Sequence, residues 1–411
     1  MDATTDTTLA KKTSRFRGKR ELIIEAATAL IIRDGVSGMT LADVAKEVGL
    51  NTTSISYYFK RKEQLAGACF NHSLDRIEEL VGRAEQENTP RTKVFAYMKE
   101  NFEVLERTHR GIDRRIIVSG ILSMEEPIRT TLTKRYQAIF RRIRGFWGPY
   151  RNEEEKRRNT ARAHVLQEVI LWLPNWVPRY SVDDFDRVCA RLFEVFDKGI
   201  ALQKANWTPQ HLDFGEEDNS GERSFLLAAT RLINERGYRG ASVVRIASQL
   251  NVTKGSFYHH LEAKDELVLE CFRRSFSTLS QAQRLAHAAG GSFWQRLSSV
   301  IATLLDVQFS ERGPLLRTTA LHALPSEIRQ NMVEKFIQIA THFAGMMIDG
   351  IIEGSIRAID PLVAAQTLMV MLNAAYELRN WSSKQDRSDA IAIYASTLMY
   401  GIFDAVPAFE N

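Results

Sequence analysis

Apolar positions along this chain recur at helical spacing, and the series starts again in the second half of the sequence. Ile23, Ala27, Leu30 and Ile31 share one face of a helix predicted over roughly 19–34, with Gly35 placed to end it. Phe225, Ala229, Leu232 and Ile233 repeat that face, with Gly237 as the stop. Leu41, Val44, Ala45 and Val48 form a second, shorter apolar face. Thr40 caps it, and Asp43 three residues on completes a capping box. In the later copy Ser242 caps and Arg245 replaces the acid. Gly49, or Asn251 in the later copy, ends the second helix. A third short helix then starts, capped by Asn51 or Thr253.

The repetition holds without a gap. The stretch 26–50, AATALIIRDGVSGMTLADVAKEVGL, runs against 228–252, AATRLINERGYRGASVVRIASQLNV. The passage continues through Ser54 with Ser256, Lys62 with Lys264 and Leu65 with Leu267. A period of this length is that of a whole domain. Each copy continues in helical rhythm with few strand signals, so the expected fold is all-α in two similar halves. The boundaries are a basic arm at 1–18, a first three-helix unit at 19–66 and a helical remainder at 67–205. An acidic, turn-rich linker follows at 206–222, then a second three-helix unit at 223–268 and its remainder at 269–411.

Three helices with a tight turn before the last make a helix-turn-helix. Ile55 and Phe59, or Phe257 and Leu261, are spaced to be buried. Thr52, Thr53, Ser56 and Tyr57 then face outward, as do Lys254, Gly255, Tyr258 and His259. Short side chains admit close approach to a DNA groove, and hydroxyls donate to phosphates or base edges.

These residues resemble the tetracycline-repressor (TetR) family of bacterial transcriptional regulators. The second copy matches the family's helix-turn-helix pattern through Ser242, Ile246, Ala247, Val252, Thr253, Lys254, Gly255, Phe257, Tyr258, His260, Lys264 and Leu267. The first matches through Thr40, Val44, Ala45, Gly49, Leu50, Ile55, Tyr57, Phe59, Lys62, Glu63 and Leu65. It departs at Ser56, where the family usually has Tyr, and at Thr53, where it usually has Gly. Leu261 of the second copy stands where Phe is usual. The resemblance implies two tandem units, each a DNA-binding domain followed by a helical domain for ligand binding and dimerisation. It implies phosphate contacts from Thr40, Ser242, Lys62 and Lys264, and backbone contacts from Tyr57 and Tyr258. It also implies a four-helix interface between the last two helices of each half, roughly 155–173 with 182–204 and 360–381 with 387–406. On that reading one chain supplies both readers of an imperfect, asymmetric operator, with pairing of whole chains into a homodimer left open.

The middle helices are where such a family binds a small effector. Candidate linings are Phe102, Met124, Phe140 and Trp172, and in the second half Phe309, His322, Phe336, His342, Met346 and Met369. The expected effector is largely apolar. Aromatics at helical spacing are also what cores use, so each has a competing reading as packing.

Composition changes little. Of 411 residues 44% are apolar and 26% charged, as in an ordinary soluble protein, and the net charge of +5 is concentrated near KKTSRFRGKR at 11–20. That permits a polyanion partner. The three cysteines make no disulfide framework and read as small buried hydrophobes. There is no apolar leader and no stretch long enough to span a membrane, so the expected location is cytoplasmic. No H-E-x-x-H, G-x-S-x-G, Walker loop or Cys-x-x-Cys occurs, so neither an enzyme nor a cofactor is expected. His259, His260 and Glu262 suggest a metal site only until the helix-turn-helix accounts for them. The rival reading is a protein-interaction module in which one helix-turn-helix no longer binds DNA.

Overall fold

The computed structural model describes residues 3–113, 116–203, 205–214, 221–240, 243–249, 264–310 and 313–403. Among these every regular element is a helix, with no strand and one isolated backbone bridge between Ala201 and Ile356. No helix among them is long and apolar enough to cross a membrane.

The first half opens with α1, Ala3–Gly38, broken at Gly35, whose φ of 71° is the left-handed value expected of a helix stop. The helix runs back through the basic stretch expected to be a separate arm. That stretch holds no proline to stop it, only Gly18. Next come α2 (Leu41–Glu47), α3 (Thr52–Tyr58) and α4 (Lys62–Ala84). The remainder is α5 (Pro90–His109), a short 3-10 turn at Ile121–Ser123, then α6 (Ile128–Arg144), α7 (Glu153–Trp176) and α8 (Phe185–Lys198). In the second half the same order gives α9 (Gly221–Gly240), broken at Gly237, α10 (Val243–Gln249) and α11 (Lys264–Ala289). It continues with α12 (Phe293–Phe309), a 3-10 turn at Thr318–Ala323, α13 (Ser326–Glu353), α14 (Pro361–Ala374), α15 (Arg379–Ser382) and α16 (Arg387–Met399). The expected domain boundaries at 66/67 and 268/269 fall inside α4 and α11, so each three-helix unit is joined to its remainder by a continuous helix.

The copies repeat each other at atomic detail. The Cys69 thiol donates to Ile24 O at 3.5 Å, and the Cys271 thiol to Leu226 O at 3.6 Å. All three cysteines are buried, and burial pushes Cys69 up to about 12 and Cys271 up to about 11, which keeps them protonated packing groups. Capping boxes at Thr89/Thr92 and Ser292/Gln295 start α5 and α12.

One apolar core continues through both halves. Helices α7 and α8 pack against α14 and α16. Backbone is exchanged across this seam. Ile200 and Ala201 donate to Met399 O at 3.0 and 2.9 Å, and Ile402 donates to Phe196 O at 2.8 Å. Gly199 and Gly401, with φ of 64° and 89°, let the two chain segments pass. A Cβ on Gly199 would lie 2.2 Å from Met399 O. The part of the expected linker that is described does not hang free. Trp294 Nε1 donates to Asn206 O at 2.9 Å, Gln210 N donates to Ser299 Oγ at 2.8 Å, and Leu212 is buried.

Candidate nucleic-acid interface

The first reading unit is built as its sequence suggests. Thr40 Oγ1 accepts the Asp43 amide at 3.1 Å and caps α2. The Thr40 hydroxyl donates to the Asp43 carboxylate at 2.6 Å, so the return bond goes to the side chain rather than closing the expected capping box. Gly49 turns the chain with φ of 65°. Asn51 Oδ1 then accepts the Ser54 amide at 2.8 Å and starts α3. Ile55 and Phe59 are buried beneath that helix, while Asn51, Thr52, Thr53 and Tyr57 are exposed and Ser56 is half-buried.

Tyr57 is 75% exposed, high for an aromatic residue. Its ring stands edge-on to Tyr58 at 5.3 Å and to Phe16 at 6.0 Å, and Phe16 packs on Tyr58 at 4.6 Å. Phe16 lies on α1, so the long first helix braces the end of the third. Sequence reasoning missed Phe16 and Tyr58, and also Arg20, whose guanidinium sits 5.3 Å from the Phe59 ring centroid. Arg17, Lys19, Lys46, Lys60 and Arg61 are exposed on the same unit. Lys62 opens α4 and is half-buried, and its Nζ donates to Ser37 O at 3.2 Å. The ammonium thus closes the corner after α1, with further protons to offer a phosphate.

In the second unit, Ile246, Ala247 and Leu267 are buried like Val44, Ala45 and Leu65. Ser242, Thr253, Lys254, Gly255, Tyr258 and His259 lie outside the described residues, as do His260 and Glu262. Lys264 is the first residue of α11, and its side chain lies outside the described part.

The effector candidates scatter. Phe102, Met124, Trp172, Phe336 and Met369 are buried, while Phe140, Phe309 and Met346 are half-buried. His342 is exposed, and His322 falls in the second 3-10 turn with its side chain undescribed. Trp172 and Phe336 meet each other across the seam at 5.3 Å, edge to face. Phe309 packs against Trp381 at 6.2 Å and Tyr394 at 5.9 Å. The indole N–H groups of Trp172 and Trp381 are buried without a hydrogen-bond partner among the described residues. A cleft of roughly 360 Å³ lies elsewhere, lined by charged groups including Arg76, Arg83, Arg107, Glu79 and Asp113.

A polar cluster on the seam was not foreseen at all. His164 Nδ1 lies 3.0 Å from the Tyr394 hydroxyl, and its Nε2 lies 3.3 Å from Glu377. His164, Glu168 and Glu377 bring ligand atoms within 4.8 Å of one another, a spacing that suits a metal ion. The positive charge there comes from Arg317, which donates through Nη2 to Glu168 at 2.9 Å and through Nη1 to Glu377. Burial pushes the His164 imidazole down to about 4, so it is neutral at pH 7.

A model of bacterial regulatory proteins, tetR family, matches residues 23–69 and again residues 225–271. Among curated proteins the chain is similar to the HTH-type transcriptional regulator BetI of Paraburkholderia phytofirmans. The match is 29% identical over 111 residues, 26% of this chain and 56% of that protein. It is similar to the HTH-type transcriptional repressor DhaR of a Mycobacterium species, 29% identical over 131 residues, 31% of this chain and 66% of that one. It is likewise similar to the HTH-type transcriptional repressor KstR2 of Rhodococcus jostii, 27% identical over 143 residues, 34% of this chain and 70% of that one. The chain thus spans little more than half the length of the first of these relatives. Of solved structures, AibR in complex with isovaleryl coenzyme A and operator DNA matches 43% of this chain and 96% of its own, at 19% identity and a TM-score of 0.35.

Proposed function

The chain belongs to the tetR family of bacterial regulatory proteins, whose helix-turn-helix it carries twice, and from that premise we propose that one molecule is a complete operator-binding regulator. The two fused units act as an intramolecular pseudo-dimer and repress transcription from an imperfect palindrome. The observation that carries this reading is the seam. Helices α7 and α8 of one half pack on α14 and α16 of the other, with backbone hydrogen bonds passing both ways. Each recognition helix enters a major groove, the two about 34 Å apart along one face of the duplex. The outward residues differ between copies, Thr52, Thr53, Ser56 and Tyr57 against Lys254, Gly255, Tyr258 and His259, so the half-sites differ too. Thr40, Ser242, Lys62 and Lys264 hold phosphates, with Asn51 and Thr253 beside them.

A small, largely apolar effector binds among the middle helices and lowers operator affinity. The aromatic surroundings of Phe309 and the unpartnered indole of Trp381 support this site, since an acceptor on the ligand would satisfy that buried donor. The effector must favour the DNA-incompetent arrangement, because equal affinity for both shifts nothing.

Selection of bound sequences from random DNA, followed by sedimentation on the selected site, tests the reading. One chain on one asymmetric site is expected, with affinity falling steeply as salt rises. Two chains on a perfect palindrome would overturn the pseudo-dimer. Binding that ignores salt would favour the protein-interaction reading.

A further inference from the structure

Residues 313–318, between α12 and α13, form a strap threaded through buried polar side chains from four helices. Leu316 N donates to Ser275 Oγ on α11 at 2.8 Å, and Leu315 N to Gln308 Oε1 on α12 at 3.0 Å. Asn373 on α14 takes Thr318 N on its Oδ1 and gives its Nδ2 to Leu316 O, both at 2.9 Å. Asn234 on α9 likewise accepts Arg317 N at 3.0 Å and donates to Leu315 O at 2.9 Å. The strap is therefore tied to the first helix of the second reading unit.

It is tied to the first unit as well. The 3-10 turn that begins one residue after Arg317 packs against both α1 and α9. At the head of α13, the Arg329 guanidinium donates to Ile32 O at 3.0 Å and Arg33 O at 2.9 Å, near the end of the main run of α1. The opposite brace exists too, since the first half's 3-10 turn packs on α9, with Ser123 against Gly237.

Arg317 fixes this strap to the seam. It is 5% exposed and bridges Glu168 of the first half and Glu377 of the second. A buried guanidinium cannot leave both carboxylates without stranding charge, so the strap has one strongly preferred register. We propose that Arg317 is a positioning residue that sets the distance between the two reading units and hence the operator spacing the protein accepts. The spacing consequence rests on the pseudo-dimer reading; the distance consequence does not.

The experiment uses the full chain with reporter cysteines at Lys46→Cys on α2 and Ser248→Cys on α10. Both positions are exposed, and the native thiols are buried away from label. Spin-label distances without DNA should be narrowly distributed in the parent and at least about two-fold broader with Arg317→Met, with Arg317→Lys intermediate. On operators whose half-sites are moved by one base pair, the parent should lose affinity about ten-fold and Arg317→Met about two-fold or less. Should Arg317→Met fold poorly, Glu168→Gln weakens the same bridge from the other side. An unchanged distance distribution in the folded variants overturns the proposal. So does a broader distribution that leaves the parent's spacing preference intact. A parent indifferent to spacing would instead refute the pseudo-dimer, and the distances would still decide the role of Arg317.

Discussion

In the first half Ser73 Oγ receives the amide of Ile117 at 3.2 Å, and in the second Ser275 Oγ receives that of Leu316 at 2.8 Å. From that shared anchor the two straps diverge. Val118 follows where the second half has Arg317. Ile32 occupies the place of Asn234 in the ungapped repeat, and Leu105 the place of Gln308 when the two capping boxes are aligned. Beyond the anchor, the described residues Ile117 and Val118 of the first strap pack on the apolar core, whereas the second strap is held by directional bonds to side chains from several helices. Apolar packing tolerates small slips, whereas a satisfied polar network has one register and loses heavily when a member is removed. The halves therefore share a fold and differ in how rigidly it is set.

The largest effect should come where the halves exchange backbone. Gly199→Val puts a Cβ against Met399 O at positive φ, and Gly401→Val does the same against Asp197 O. Each should cost about 3–5 kcal/mol in chemical unfolding. Gly354→Ala, also at positive φ but with open space around its Cβ, should cost only about 1–2 kcal/mol. A cheap Gly199→Val would mean the seam is looser than its contacts imply.

Next is Glu168→Ala, which leaves Arg317 buried with one carboxylate and should cost about 3 kcal/mol. The matched measurement, on a bridge wholly within the first half, is Arg135→Ala. That residue pairs with Asp75 and Glu78 on a more open surface, so the loss should stay below about 1 kcal/mol.

The polar cluster on the seam should also confer a pH dependence. His164 is held near 4 in the folded chain, against an ordinary value of about 6.5. Unfolded chain therefore binds the extra proton first. This contribution is complete above about pH 6.5 and is lost as pH falls toward 4, on the order of 2–3 kcal/mol. Thermal unfolding across that window should show the slope, and His164→Gln should flatten it.

Smaller than the losses at Gly199 and Glu168 are those expected for Ser73→Ala and Ser275→Ala. Each orphans one buried amide, at about 1–2 kcal/mol by urea unfolding. A much larger cost for Ser275→Ala would extend the difference between the straps to their common anchor.

Much of this was legible in the sequence, because the signals were local. Gly35, Gly49 and Gly237 announce their turns by residue type, and Thr40 and Asn51 announce their helices by position. Ile55 and Phe59 are buried as their spacing requires. Spacing alone failed where a helix has more than one buried face. Trp172 looked like a pocket wall in one half and Phe336 like one in the other, yet they pack on each other across the seam. Arg317 sits in an apolar run with no periodicity to mark it. Its partner Glu168 is 149 residues away, and no local rule joins them. The linker is marked in the sequence only by its acidic, turn-rich composition. Its docking uses backbone groups of Asn206 and Gln210, which composition cannot reveal.

The seam also has a consequence in time. The apolar residues of α7 and α8, among them Val165, Val169, Leu173, Leu192 and Val195, are buried in the finished protein. Part of the surface that covers them, α14 and α16, lies at the far end of the chain. At a synthesis rate of about 5–20 residues per second, the first half waits roughly 10–40 s for that cover. During that interval the nascent chain carries a sticky face suited to a partner not yet made. Polysomes, where identical nascent halves lie side by side, are where this protein is most exposed to mispairing.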